Sequence, residues 1–205
     1  MKKIAFSLNV GLIGSNKYAN VFGKKVFIES LKKITIKSKL PNDSKITKVG
    51  PELLIIFKEI PIKLRVFFAE NFNDFIYDYE KIKNFDVIIL LINMRDSSSL
   101  NSLDKDSFEE FKDYFSFKNG ISILAGMNFT EDSNTEKIRI NRDQLIEKAK
   151  ELDVIYGYEI TADKEENFKF FNRILSDFIF KFQYSSPELF DLAKLYGKEL
   201  IEKSM

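Results

Sequence analysis

The residues best placed to do chemistry are a glycine and two lysines, Gly23-Lys24-Lys25. Eight residues, Ser15 to Phe22, separate them from Gly14, which ends the apolar run Leu8 to Ile13. A loop that cradles phosphates reads G-x-x-x-x-G-K-[ST]: its backbone N–H groups surround the phosphate oxygens, the Lys neutralises them and the hydroxyl holds Mg²⁺. Here the pattern is G-x8-G-K-K, four residues longer, and Lys25 takes the place of the hydroxyl. A cation at that position repels a divalent metal. Any phosphate held there would be neutralised by Lys24 and Lys25 themselves, whereas a longer loop does not present the same nest of N–H groups. Two lysines early in a surface helix are equally explained by solvation alone.

Other chemistry is narrowed by composition. The chain has no Cys and no His, which removes thiolate nucleophiles, zinc-thiolate sites and the commonest base at neutral pH. Asp96, in Arg95-Asp96-Ser97, and Asp86 are candidate catalytic carboxylates, but each is isolated, and an Asp in such a loop is usually a turn residue. The acidic pair that a phosphorylated receiver domain carries after its first strand is replaced by Gly14-Ser15-Asn16. Lys plus Arg total 32 against 31 Asp plus Glu, so no global field draws the chain to nucleic acid or acidic membranes. The longest apolar run, Val87 to Ile92, is far shorter than the roughly 20 residues of a spanning helix. The first residues lack a cleavage site, no lipidation motif is present, and a cytoplasmic location is expected.

The elements that would position these residues follow from apolar patterning, because buried strands read as continuous apolar runs and helices as stripes at intervals of three or four. Strands are predicted at Leu8 to Ile13, Leu53 to Lys58, Lys63 to Ala69, Phe85 to Ile92, Ile121 to Ala125 and Val154 to Ile160. Helices are predicted at Val21 to Lys33, Asp74 to Ile82, Ser107 to Tyr114, Asn141 to Leu152 and Glu165 to Phe182. The second and third strands form a hairpin with Pro61 in its turn. The fold class is α/β: a three-layer α/β/α sandwich around a mostly parallel six-stranded sheet with one antiparallel hairpin. Residues 1–184 form this domain. Residues 185–205 form an extra C-terminal helix, with Leu189, Leu192, Tyr196 and Leu200 on the side that packs on the domain or on a partner.

In such a sheet ligands bind beyond the carboxyl ends of the strands. This order of elements, with several fragments, resembles the Ras-like small GTPases of the P-loop NTPase fold. The fragments are Gly11-Leu12-Ile13-Gly14 with Gly23-Lys24, Phe85 to Ile92 leading to Ser99-Leu100, and Glu159-Ile160-Thr161-Ala162-Asp163 followed by Glu166-Asn167-Phe168. The last is similar to the family's E-x-S-A-K loop, with Asp163 where Lys is usual. The resemblance implies nucleotide-site positions at Gly14, Gly23, Lys24, Lys25, Asn128, Thr161 and Ala162. It also implies that much of the site has gone. D-x-x-G is replaced by Phe68-Ala69-Glu70-Asn71, and the water-positioning glutamine by Phe72. N-K-x-D is replaced by Asn128-Phe129-Thr130, or in a shifted frame by Asn128 and Glu131. Thr47 is the one match to the switch Thr.

A degenerate, non-catalytic member is therefore expected, a pseudo-GTPase with a protein partner, no catalytic residues, no metal site and no obligatory cofactor. Phe67, Phe68, Phe72, Phe75 and Tyr77 would serve as core or as a partner patch. The alternative is a weak GTPase or guanine-nucleotide switch that binds GTP or GDP without a standard Mg²⁺ site, through Lys24, Lys25, Thr161 and Ala162.

Overall fold

The computed structural model describes residues 3–14, 26–39, 49–82, 84–117, 119–128, 140–154, 156–161 and 163–203. The apolar runs form the strands. In chain order the elements are β1 (Phe6–Ile13), α1 (Glu29–Leu31), β2 (Thr35–Lys39), β3 (Val49–Phe57), β4 (Ile60–Ala69), α2 (Phe72–Tyr79) and β5 (Val87–Asn93). They continue with α3 (Ser98–Asn101), α4 (Lys105–Tyr114), β6 (Ile121–Met127), α5 (Arg142–Glu151), β7 (Tyr156–Ile160), α6 (Lys164–Ser185) and α7 (Pro187–Glu202).

The strands make one sheet in the order β2-β3-β4-β1-β5-β6-β7. From β4 to β7 all neighbours are parallel, and β2, β3 and β4 pair antiparallel. The α/β class holds, but the described sheet has seven strands, not six. The added strand, Thr35-Ile36-Lys37-Ser38-Lys39, lies at the edge with its side chains half-buried or exposed. It has no apolar run to announce it, and lysines are typical of an edge that must not pair with another chain.

The sheet separates two apolar layers. On one side Leu8, Val10 and Leu12 of β1 and Val87, Ile89 and Leu91 of β5 pack with Val26, Phe27 and Leu31 and with Phe171, Leu175 and Phe178 of α6. On the other, Ile88, Leu90 and Ile92 of β5 pack with Phe72 and Phe75 of α2, Phe108 and Phe111 of α4, and Leu145 of α5. Every residue of β5 is buried, as a central parallel strand requires.

The hairpin corrects a second expectation. The turn is Lys58-Glu59, not a loop containing Pro61, and both residues have positive φ, 48° and 65°. A two-residue hairpin loop of type I′ has this conformation at both positions and usually fills it with Asn and Gly; each non-glycine residue there costs about 1–2 kcal/mol. Pro61 is the second residue of β4, opposite Ile56. Phe57 and Ile60 flank the turn and form the hydrogen-bonded pair, so the next pair exchanges no bond and the missing N–H of Pro61 leaves no gap in the ladder.

Helix α7 packs on β4 and α6 of its own domain. Its buried residues are Ala193 and Gly197, one turn apart. The larger stripe expected to be buried is only partly covered: Leu192, Tyr196 and Leu200 are half-buried, and Leu189 is exposed. The reason is how closely helix and hairpin approach. A Cβ on Gly197 would collide with the carbonyl oxygen of Glu59.

Candidate functional site

The carboxyl ends of β4, β1, β5, β6 and β7 lie along one edge of the sheet, where the loops that would hold a ligand begin. Gly14 follows β1 directly. Its N–H donates to the Ala69 carbonyl at 3.0 Å. A Cβ on Gly14 would stand 2.7 Å from Leu91 Cβ and 2.9 Å from the Leu91 carbonyl oxygen. This glycine is required by the close approach of the chain to β5, and its N–H is already used within the sheet.

Asn128 follows β6. Its Nδ2 donates to Glu159 Oε1 at 2.6 Å, and its backbone N–H donates to the Ile160 carbonyl at 2.9 Å. Its Oδ1 is buried without a hydrogen-bond partner among the described residues. Thr161 follows β7. Its Oγ1 accepts from the Asp163 N–H at 3.2 Å, and its carbonyl accepts from Asn167 Nδ2 at 2.9 Å. Asp163, which replaces the usual Lys, is the N-cap of α6 and accepts from the N–H groups of Glu165 and Glu166. A carboxylate there satisfies two orphan donors and favours the positive end of the helix, a role a lysine cannot perform.

Gly14, Asn128 and Thr161 therefore share one edge. Gly14 lies two strands from Asn128, about 10 Å by strand spacing, while Asn128 and Thr161 are neighbours across β6 and β7. Gly23, Lys24, Lys25 and Ala162 lie outside the described residues, as do Thr47, Phe129, Thr130 and Glu131.

The end of β4 is built differently from a switch loop. Only Glu70 and Asn71 separate the strand from α2. Asn71 caps the helix by accepting from the Asp74 N–H at 2.8 Å, and its Nδ2 donates to the Asp74 carboxylate. Phe72, which the resemblance sets at the position of a water-orienting glutamine, is buried against Phe108 and Phe111. Phe67 and Phe75 are also core residues, whereas Tyr77 is 82% exposed.

Behind Phe72, Tyr79 is buried and its hydroxyl serves the backbone of Phe68 twice, donating to the carbonyl at 2.8 Å and accepting from the N–H at 3.2 Å. Ala69 points its carbonyl toward β1, so Phe68 points toward β3, beyond the last pair, Val49 with Phe67. The phenol serves both backbone groups there, and burial pushes its pKa up to about 12. Helical spacing from Phe72 and Phe75 sets Tyr79, and not Tyr77, on the buried face of α2, but its bonds to Phe68 depend on how that helix sits against β4.

The candidate carboxylates do not join this edge as catalysts. Asp96 closes a local turn, its Oδ1 accepting from the Ser98 N–H at 2.9 Å and from Ser98 Oγ at 2.7 Å. Asp86 sits at the opposite end, where Oδ2 accepts from the Asn9 N–H at 2.9 Å. Burial holds its pKa above the usual carboxylate value, against the opposing pull of that N–H, Lys181 and Arg65. Among the described residues no group of three or more acidic, His or Cys residues is arranged to hold a metal ion. No described helix is long and apolar enough to cross a membrane. No family model matches the chain, and no curated protein is significantly similar to it.

Proposed function

We propose that this chain is a degenerate Ras-like small GTPase, a pseudo-GTPase that acts as a non-catalytic regulatory or scaffolding module for other proteins. The observation that carries this reading is the end of β4. In a switch, the segment there orders around the γ-phosphate and relaxes after hydrolysis. Here it is two residues long, capped by Asn71 and anchored by the buried Phe72.

Phosphoryl transfer relies on positioned charge and an oriented water. At the positions the resemblance assigns to these tasks the chain carries Lys25, Phe68-Ala69 and Phe72. The Gly14 N–H, the Thr161 hydroxyl and carbonyl oxygens and the Asp163 carboxylate are all engaged within the protein. A fold that retains its layers after losing these groups still offers surfaces for recognition.

One observation favours the alternative, guanine-nucleotide binding without a standard Mg²⁺ site. The buried Oδ1 of Asn128, which has no partner among the described residues, is an acceptor suited to an N–H of a base. Thermal unfolding of EDTA-washed protein with millimolar GTP, GDP or ATP, with and without Mg²⁺, separates the two. A ligand at a hundred times its Kd adds about 2.7 kcal/mol to stability. The proposal predicts no change in the midpoint. A guanine-specific rise that is lost in Asn128→Ala would establish the alternative.

A further inference from the structure

The opposite end of the sheet holds a groove of about 430 Å³ between the hairpin turn, α6 and α7, lined among others by Lys58, Asp177, Ile179, Phe180, Phe190 and Lys194. Its apolar floor is not closed over: Phe180 is 59% exposed and packs against the exposed Tyr184, ring centroids 4.7 Å apart. An exposed aromatic pair beside an open groove is the kind of apolar patch that marks an interaction site.

The rim is electrostatically one-sided. Arg173 pairs with Asp177 at 3.0 Å, and Lys194 and Lys198 share Glu59 at 3.5 and 3.9 Å. Lys58 meets the Ser176 hydroxyl at 3.3 Å and lies over the Phe57 ring, 5.3 Å from its centroid, and it forms no ion pair with a carboxylate among the described residues. Of the charged groups that line the groove itself, two are cations, Lys58 and Lys194, and one is a carboxylate, Asp177.

A second feature singles out Lys58. It occupies the strained first position of the hairpin turn, where Asn or Gly would be easier, and the strain places its ammonium at the groove. Backbone strain kept at a surface position argues for a role of the side chain it presents.

We propose that this groove docks an acidic peptide segment of a partner protein, which inserts one apolar side chain over Ile179, Phe180 and Phe190 and sets its carboxylates against Lys58 and Lys194. The lysines steer and orient the segment, and the apolar contact supplies most of the affinity. The site lies at the far end of the sheet from the candidate nucleotide edge and does not depend on whether that edge takes a ligand.

The test is fluorescence anisotropy of the full chain with two labelled twelve-residue peptide pools. Each pool has a central apolar position varied over Leu, Ile, Phe, Tyr and Trp, flanked in one by Glu and Asp and in the other by Lys. The acidic pool is expected to bind, to weaken with added salt, and to weaken at least tenfold in both Lys58→Glu and Phe180→Asp. Both substitutions sit on exposed side chains, and unchanged circular dichroism and melting would confirm folding. Tyr77→Asp, at an exposed aromatic on α2 away from the groove, is expected to leave binding unchanged. No acidic binding up to millimolar protein, equal binding of the basic pool, or insensitivity to both groove variants overturns the proposal. So does self-association of the chain that Phe180→Asp abolishes, because the occupant would then be a second copy.

Discussion

The two ends of β4, about 30 Å apart by the rise of its ten residues, have been resolved in opposite ways. At the carboxyl end, where an α/β sheet ordinarily takes its ligand, the connection to α2 is short and its polar groups answer one another. A phenylalanine, Phe72, is buried there against Phe108 and Phe111. At the amino end the turn is strained, its lysine faces solvent, and an aromatic pair is left uncovered beside a groove. Packing that satisfies its own polar groups stabilises a fold but leaves little with which to hold a ligand. Unanswered charge and uncovered apolar surface do the reverse. The contrast is the ground on which the proposed docking is set at the amino end and not at the carboxyl edge.

The largest expected effect breaks the closed end. Phe72→Ala removes a buried ring packed on Phe108 and Phe111 and is expected to cost about 3–5 kcal/mol in urea unfolding. The same truncation at exposed Tyr77 is expected to change stability by less than about 0.5 kcal/mol. Equal effects at the two positions would mean that α2 does not bury the face described. At the open end, Gly197→Ala drives a methyl group into the Glu59 carbonyl. It is expected to cost about 1–3 kcal/mol, the range of overpacked sites, and to raise amide exchange in α7 selectively. A neutral result would show that the helix is not seated on the turn.

Tyr79→Phe sharpens the comparison, since it leaves the Phe68 N–H and carbonyl without their partner. The expected loss is about 1–3 kcal/mol by chemical unfolding. The sign of its pH dependence follows from the raised pKa. The native state favours the neutral phenol, so the contribution is full below the unfolded-state value near 10 and is lost as pH rises through about 12. The variant should therefore show a flatter alkaline limb in its stability profile.

The smallest effect concerns Asp86, whose native pKa burial also raises. Its contribution is greatest in acid, below the unfolded value, and falls as pH rises through the native one. Asp86→Asn keeps an acceptor for the Asn9 N–H. Its melting midpoint relative to the parent should rise from acid to neutral pH, and a difference that does not vary with pH would refute this assignment.

Much of the architecture was legible because burial on both faces writes itself as continuous apolar runs, as in Val87 to Asn93 and Ile121 to Met127, and because the Phe171, Leu175 and Phe178 stripe of α6 keeps helical spacing. The exceptions have physical causes. Strand β2 is an edge strand and carries lysines in place of an apolar pattern. The hairpin turn uses Lys58 and Glu59, so neither glycine nor asparagine announces it, and Pro61 drew the prediction two residues too far. The buried seam of α7 consists of Ala193 and Gly197 because close backbone approach favours small residues, whereas amphipathic patterning looks for large ones.

At the site, Gly14, Asn128 and Thr161 fall on one sheet edge as the order of elements predicts. Their hydrogen bonds to Ala69, Glu159 and Asn167 could not be read from a linear sequence, because those bonds depend on strand register and helix placement. Asp163 is the instructive residue. As a departure from a motif it signals loss, and as an N-cap it explains what the position now does.

The central claim is that the chain holds no nucleotide at its carboxyl edge. It is tested most directly by denaturing freshly purified, untreated protein and identifying the released small molecules by ion-exchange chromatography against GDP and GTP standards. The account predicts no guanine nucleotide above the trace found with an unrelated protein purified alongside. Near-stoichiometric GDP or GTP would contradict it and make the edge around Asn128 and Thr161 a working binding site.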